Sequence, residues 1–580
     1  MQKSIQLDYK LLIERPEEHY VKVIISGQFP QDEESLSFFL PSWSPGSYLM
    51  REYARNIRKL TVTSETGERL YAEQMHKGVW DVERLHTGVN QKRANSFEVS
   101  YEIYCHELTV RTSHVDLSHA FIHGPSVFMG VKDYSMPNPK LEVRFPPLWS
   151  KISTGLKDIS EKREVFLYSA EDYDTLIDAP LEIGCHETDG FRVQNVDHEL
   201  AFYGNVLPHN RKIKEDMKTI VETVLATTKE IPYEKYTFIT HFVPSKYGGL
   251  EHLNSTALHF SPTLLNDRKE YVNWLALVAH EYFHTWNVKR IRPVELGPFD
   301  YLNEAMTRML WLAEGLTSFM DELFVVRSGL CSLEEYLDMQ KDNWNRMLGI
   351  PGRYFHSLDD SSFNAWIKLY RPDENSANSS ISYYLKGGIV FFALNILLNE
   401  KGLSVDHLFD ALWTRYKNDP AHGVTSDEVY DMVEKLGGKE ICDEFKMLNQ
   451  TTEELNLEKY AQKMGLEIVW EESKAPYVGA NADIQGDRVF LKSVALDSPA
   501  SKAGLNADDE IIALNGMRVT KKEWGDFSKM LLVGTPYEMT LSRLGQLMKV
   551  VFTPGKAPRT VKEIKPVNKA LVTQVLGLKS

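Results

Sequence analysis

Apolar and polar positions alternate through the first 168 residues, in segments such as IQLDYKLLIE, YVKVIISG, KLTVTSE, SFEVSYEIYCHELTV and KLEVRFP. A period of two, broken by Pro, Gly and Asn turns, predicts short strands and an all-β, sandwich-like domain over residues 1–172. The polar, proline-bearing stretch EDYDTLIDAPLE (171–182) marks the joint to the next domain. Strands resume in FRVQNVDHELAFYGN and in YTFITHFVPSKYGGLEH, so 173–262 reads as strand-rich. Between them, Lys212–Thr228 sets Ile213, Met217, Ile220, Val221 and Val224 on one side of a helix. From 263 to 470 the period lengthens to that of a helix. Helices are predicted over Tyr271–Lys289 and Asn303–Leu323, and after capping boxes at Ser332/Glu335 and Thr425/Glu428. The latter part of ISYYLKGGIVFFALNILLN is apolar for about sixteen residues with Asn395 inside it, a core helix rather than a membrane span. Beyond the charged connector WEESKAPY the pattern changes again. Residues 471–556 combine short strands, a small-residue helix start and an Asn-Gly turn, and 557–580 is a basic tail whose placement the pattern leaves open.

Composition narrows the class. A chain of 580 residues makes several domains, and 43% hydrophobic with 25% charged residues is ordinary for soluble globular protein. A net charge of −15 argues against a nucleic-acid or anionic-membrane partner, because phosphate attraction needs a basic surface. Cys105, Cys185, Cys331 and Cys442 lie far apart, which suits neither a disulfide framework nor a thiolate metal site. The segment MQKSIQLDYKLLIERPEEHY lacks an apolar signal region, so the expectation is a cytoplasmic protein without a membrane anchor.

The strongest chemical signal is HEYFH, with His280, Glu281 and His284 on the predicted helix. Histidines four residues apart share a helix face and ligate one zinc ion, with the intervening glutamate placed to take a proton from a water that the metal polarises. A catalytic zinc needs a third protein ligand. Glu314 sits in the apolar setting Leu310-Trp311-Leu312-Ala313 and Leu316, where a lone carboxylate is costly to bury and a cation meets that cost. Glu304 is the competitor, with Pro298 in the loop before it leaving few residues for a returning helix. The loop PSWSPGSYLMREYARNI (Pro41–Ile57) either caps the sandwich or sends Arg51 or Tyr53 to a substrate cleft. His119 and His123 also stand four apart, but Gly124 and Pro125 follow in a strand-like setting, which argues against a second metal site there.

HEYFHTWN followed by LWLAEGLTSF resembles the zinc aminopeptidases of the thermolysin-like group, in which the glutamate of an LW-x-x-EG segment is the third ligand. Ser498-Pro499-Ala500, Ala503-Gly504-Leu505, Asp508-Asp509 and Asn515-Gly516 stand as in a PDZ domain. Together with PSWSPGSYLMREYAR, HEYFHTWNVKRIRP and LGPFDY, they make the chain similar to the glycyl aminopeptidase family. The resemblance implies three parts: an N-terminal β domain, an α+β, mostly helical thermolysin-like (gluzincin) catalytic domain over 173–470, and a PDZ domain over 471–556. It implies one zinc per chain on His280, His284 and Glu314.

Gly248-Gly249-Leu250-Glu251-His252 resembles the G-x-M-E-N strand whose glutamate binds the substrate's α-ammonium, with Leu250 and His252 in place of Met and Asn. A fixed carboxylate on a sheet edge suits that task, and the glycines let substrate backbone approach. Tyr384-Leu385-Lys386-Gly387 resembles the Y-x-K-G segment whose tyrosine hydrogen-bonds the oxyanion, with Tyr383 the neighbouring alternative. The expected activity is removal of a small N-terminal residue, Gly or Ala, from peptides with a free N-terminus. Two other readings stand beside it: an endopeptidase that captures protein C-termini on the PDZ loop Tyr477-Val478-Gly479-Ala480, and a binding protein without catalysis. Whether that loop binds peptide or only packs is left open.

Overall fold

The computed structural model describes residues 3–86, 93–162, 165–205 and 210–579. The chain forms two compact units, residues 1–305 with 412–424, and residues 306–411 with 425–580.

The first unit opens with a seven-stranded sheet in which Leu7–Leu12, Tyr20–Gln28 and Ser96–Tyr104 are neighbours. The period-two pattern is realised directly: Leu7, Tyr9 and Leu11 are buried, as are Val21, Val23 and Ile25 opposite them. A four-stranded sheet containing Ser35–Phe39 and Val79–His86 shares the same core through Leu36, Phe38, Trp80 and Val82, so the two sheets make a sandwich. A third sheet joins His114–Val115, His119–Ile122, Leu181–Gly184 and Lys151–Thr154. Sheet pairing therefore continues past residue 172. Leu181–Gly184 is held on both sides, by His119–Ile122 and by Lys151–Thr154.

A five-stranded sheet follows, in the order Glu187–Val193, Val196–Tyr203, Lys235–Phe242, Ser255–Phe260, Gly248–Glu251. Helix Ile213–Thr228 makes the crossover between the parallel strands Val196–Tyr203 and Lys235–Phe242, as a parallel pair requires. Gly248–Glu251 is the edge strand, antiparallel to Ser255–Phe260.

The second unit is mostly helical around Tyr383–Asn399, whose residues from Lys386 to Leu398 are buried all round. The helix expected over Asn303–Leu323 begins only at Trp311 and runs, after one π turn (Trp311–Gly315), to Arg327. Side chains hold the preceding backbone in turns. Asp300 accepts from the N–H groups of Leu302 (3.0 Å) and Asn303 (3.2 Å), and Thr307 accepts from Met309 N–H (3.2 Å).

The stretch 557–580 is built into this unit. Thr560–Pro566 pairs antiparallel with Leu466–Glu471, Asn345 exchanges two 2.8 Å hydrogen bonds with Val561, and Asn395 Nδ2 donates to the Val575 carbonyl (2.9 Å) of helix Lys569–Leu576. Between those paired strands lies a module with its own core, including Val489, Leu491, Ile511 and Leu541, under the sheet order Ala480–Gln485, Arg488–Val494, Glu510–Leu514, Tyr537–Arg543, Gln546–Phe552. Among the described residues no helix is long and apolar enough to cross a membrane.

Candidate active site

In the first unit the HEYFH helix spans Arg268–Phe283, started by Asp267, whose side chain accepts from Glu270 N–H (3.0 Å). Val272, Leu275, Ala276, Ala279 and Phe283 are buried, as their spacing requires. The helix is shorter than the Tyr271–Lys289 pattern predicts. His284 is its C-cap, still helical at φ −58° and ψ −20°, and turns follow. Two cations, Lys289 and the buried Arg290, hold the turns that follow. Arg290 donates to the carbonyls of Thr285 (2.7 Å), Pro232 (2.8 Å) and Leu253 (3.1 Å), while Lys289 Nζ lies 2.6 Å from Asp178. Burial pushes the Asp178 carboxyl up, but Lys289 and His252 outweigh it and hold the group well below the usual carboxylate range.

The His280 and His284 rings stand 4.6 Å apart at 87°. His284 Nδ1 lies 2.5 Å from the Asn287 carbonyl. A carbonyl only accepts, so Nδ1 carries the proton and Nε2 keeps its lone pair for a ligand, the orientation metal-binding imidazoles take. Two imidazoles and buried carboxylates form an N/O donor set that fits zinc.

The edge strand supplies the rest of this wall. Glu281 is buried, and a Cβ built on Gly249 would meet its Oε1 at 2.2 Å, so the carboxylate occupies the space that glycine leaves. Gly248, at φ +144°, holds a backbone conformation that side-chain-bearing residues avoid. Glu251 is 3% exposed, and its Oε1 has no hydrogen-bond partner among the described residues. One donor atom each from Glu251, Glu281 and His284 fall within 4.8 Å of one another.

The Pro41–Ile57 loop lies against this strand. A Cβ on Gly46 (φ +82°) would meet both Glu251 oxygens, at 2.4 and 2.6 Å. Tyr53 donates to the Arg111 carbonyl (2.8 Å), and Arg111 Nη2 to the Gly249 carbonyl (3.1 Å). Arg51 donates to Ser47 within its own loop (2.9 Å). Sequence reasoning missed Gly46, Arg111, Asp178 and Lys289; only the Pro-Gly bend of SPGS hinted at the first. His119 and His123 do not converge. His119 bonds Glu182 (2.8 Å), whereas His123 lies beside the rings of Tyr53 and His252.

In the second unit Glu314 is 2% exposed on the π turn, while Glu304, in the first unit, is exposed and outside any helix. Gly315 and Gly387 bring the π turn and the Tyr383–Asn399 helix into backbone contact; a Cβ on either would lie 2.9 Å from the other's Cα. Ser382 caps that helix, accepting from Tyr384 N–H (3.2 Å). Tyr383 is fully buried, and Tyr384 is half-buried with its hydroxyl 3.2 Å from that of Tyr370. Burial, then the Glu314 carboxylate, push the Tyr384 phenol well above its ordinary range.

Tyr477-Val478-Gly479-Ala480 leads into the module's edge strand and lines a groove with Trp524, Phe527 and Leu531. The carbonyls of Val478 and Gly479 accept from Ala500 N–H (2.9 Å) and Ala495 N–H (2.7 Å).

The family model described as "M61 glycyl aminopeptidase" matches residues 273–390, and that of the "Peptidase M61 N-terminal domain" matches 8–185. Among solved structures, the chain is similar to an aminopeptidase N family protein of Idiomarina loihiensis, at 27% identity and TM-score 0.90 over 98% of this chain and 100% of that one. It shares the fold of an M1 zinc metallopeptidase of Deinococcus radiodurans (13% identity, TM-score 0.51, 78% of this chain and 95% of that one). A mutant of that enzyme bound to a Tyr-Ser-Ala substrate matches at 13% identity and TM-score 0.50, over the same shares. Among proteins of curated function, none matches. The chain belongs to the M61 glycyl aminopeptidase family and is a metallopeptidase.

Proposed function

We propose that this metallopeptidase is a zinc-dependent aminopeptidase that removes a small N-terminal residue, Gly or Ala, from peptides, with one catalytic zinc held by His280, His284 and Glu314. When bound, zinc supplies Lewis acidity to the attacking water and the scissile carbonyl. Glu281 takes the water's proton and hands it to the leaving amine. Tyr384 donates a hydrogen bond to the developing oxyanion; its raised pKa keeps it protonated and a donor at neutral pH. Glu251 anchors the substrate's α-ammonium, so the cut falls after the first residue.

The observation that carries the exopeptidase reading is the buried, unpartnered Oε1 of Glu251 beside Glu281 and His284. A buried carboxylate oxygen is costly without a donor, and an ammonium group is a donor with the matching charge. The preference for glycine or alanine follows from the family. Residues 471–556 are read as a PDZ domain, in which a peptide C-terminus would add to the edge strand Ala480–Gln485 over Trp524 and Phe527.

The test is a panel of aminoacyl-p-nitroanilides, free and N-acetylated, with and without chelator. Hydrolysis of free glycyl and alanyl substrates, lost on acetylation and on chelation, is expected. Equal cleavage of acetylated substrates would instead make the chain an endopeptidase, and no hydrolysis of any substrate would remove the catalytic reading. Glu281→Gln should keep the metal while turnover falls by several orders of magnitude; a variant as active as wild type would remove Glu281 from this role.

A further inference from the structure

We propose that the hairpin His114–Val115/His119–Ile122 carries a second divalent-cation site, formed by Nε2 of His114, a carboxylate oxygen of Asp116 and Nε2 of His119. One donor atom from each of the three residues falls within 4.8 Å of the others. The two strands pair with His114 opposite Phe121 and Val115 opposite Ala120, which leaves Asp116 in the turn between the histidines.

Both rings are prepared in the same way. His114 Nδ1 lies 2.7 Å from the His106 carbonyl, and His119 Nδ1 lies 2.8 Å from Glu182 Oε1. Each acceptor is an oxygen, so each Nδ1 carries a proton, and in the neutral ring each Nε2 then offers its lone pair to a cation. A histidine whose far nitrogen is tied to a carboxylate or a carbonyl is the arrangement found behind metal ligands.

Glu182 is itself fully buried and receives His241 Nε2 on its other oxygen (2.9 Å), so the carboxylate that orients His119 is fixed in turn. Asp116 accepts through Oδ1 from Ser118 N–H (2.7 Å), Ser118 Oγ (2.5 Å) and His119 N–H (3.2 Å), and its Oδ2 lies 3.3 Å from His114 Nε2. Donors around a tetrahedral zinc stand about 3.3 Å apart, from bond lengths of about 2.0–2.1 Å.

The second observation is His119 itself. It is 0% exposed, the Tyr203 ring stacks on its face, and Nε2 is buried without a hydrogen-bond partner among the described residues. A simple His114–Asp116 ion pair would satisfy those two groups and leave this nitrogen unpaired. A cation shared by all three uses it. Two imidazoles and one carboxylate select zinc or another first-row divalent ion over calcium or magnesium, which take oxygen donors. Asp116 and His114 reach the surface, so coordination is completed by water. The ion would staple the hairpin to its neighbour strand Leu181–Gly184 through His119 and Glu182.

The test uses the full chain, stripped of metal and titrated with Co²⁺, with bound metal counted by elemental analysis and the visible d–d band recorded. His114→Ala and Asp116→Asn lie at the exposed end of the site, and circular dichroism checks that each is folded. Each should bind about one equivalent fewer than wild type and lose part of the visible band. His280→Ala should keep the hairpin equivalent. Wild-type stoichiometry in either hairpin variant, or loss of the hairpin equivalent in His280→Ala, would overturn the assignment. The count does not use hydrolysis, so it stands or falls apart from the proposed peptidase mechanism.

Discussion

A glycine on a sheet edge and a lysine inside a helix show how much single residues carry here. Gly249 leaves the space that the Glu281 carboxylate fills, with a Cβ there falling 2.2 Å from Oε1. Gly249→Ala should therefore displace the proposed base by about an ångström and lower kcat about a hundredfold, while circular dichroism and melting temperature stay near wild type. An unchanged kcat would show that the strand does not position Glu281. Lys386 is 2% exposed, and burial pulls its pKa down to about 8, with Glu454 opposing the shift and Arg353 adding to it. The unfolded chain titrates near about 10.4. Below pH 8 the lysine is charged in both states and the burial cost is present in full. Between those values the folded chain is already neutral while the unfolded one still holds its proton, so the cost is relieved as pH rises. Lys386→Met should melt higher than wild type near neutral pH, with the gap closing by about pH 10. A gap that widens with pH would refute this sign.

Between elements, the decisive contact in the second unit is backbone on backbone. The π turn with Glu314 and the helix with Tyr384 meet through Gly315 and Gly387, and neither main chain can give way to a methyl group. Gly387→Ala should cost about 1–3 kcal/mol of stability by overpacking, measurable by urea denaturation, and should lower kcat with it, because Tyr384 sits three residues earlier on the same helix. Full stability in this variant would mean the helices separate without penalty. Gly315, after Glu314, and Gly387, after Lys386, serve this packing contact.

At the scale of the whole molecule, the module near the C-terminus is an insertion between two strands that pair with each other. Glu471 and Thr560 are direct partners in the antiparallel pair, so their Cα atoms stand about 5 Å apart. Replacing 472–559 with a Gly-Ser linker of about five residues spans that gap. The shortened chain should fold and still hydrolyse a small aminoacyl-p-nitroanilide. Its melting temperature should fall modestly, because Asn378 loses its bonds to the Val494 carbonyl (2.9 Å) and Leu496 N–H (2.8 Å). A chain that no longer folds would make the module part of the core rather than an insertion. Ending the chain at residue 556 is a different change, since it removes a paired strand and the helix that Asn395 holds.

By itself the sequence determined what rests on local periodicity and short spacing. Alternation buried Leu7, Tyr9 and Leu11 against Val21, Val23 and Ile25, and the Ser332/Glu335 and Thr425/Glu428 boxes cap the helices they announced. Histidines four apart on one helix needed no tertiary information either. Helix ends were legible only in part. The stop after Phe283 depends on Asp178 and Pro232 meeting Lys289 and Arg290 from a distant helix end and a distant loop, and the late start at Trp311 on side chains bonding their own turns. The Gly46–Glu251 approach, the Arg111 support of Gly249 and the pairing of 560–566 with 466–471 join residues about ninety to two hundred apart, a separation at which no pattern along the chain specifies a partner. The same holds for His119, which reaches Glu182 across two strands and gains its meaning as a ligand only there. Periodicity fixes which face of an element is buried; what that face meets is decided by packing in three dimensions.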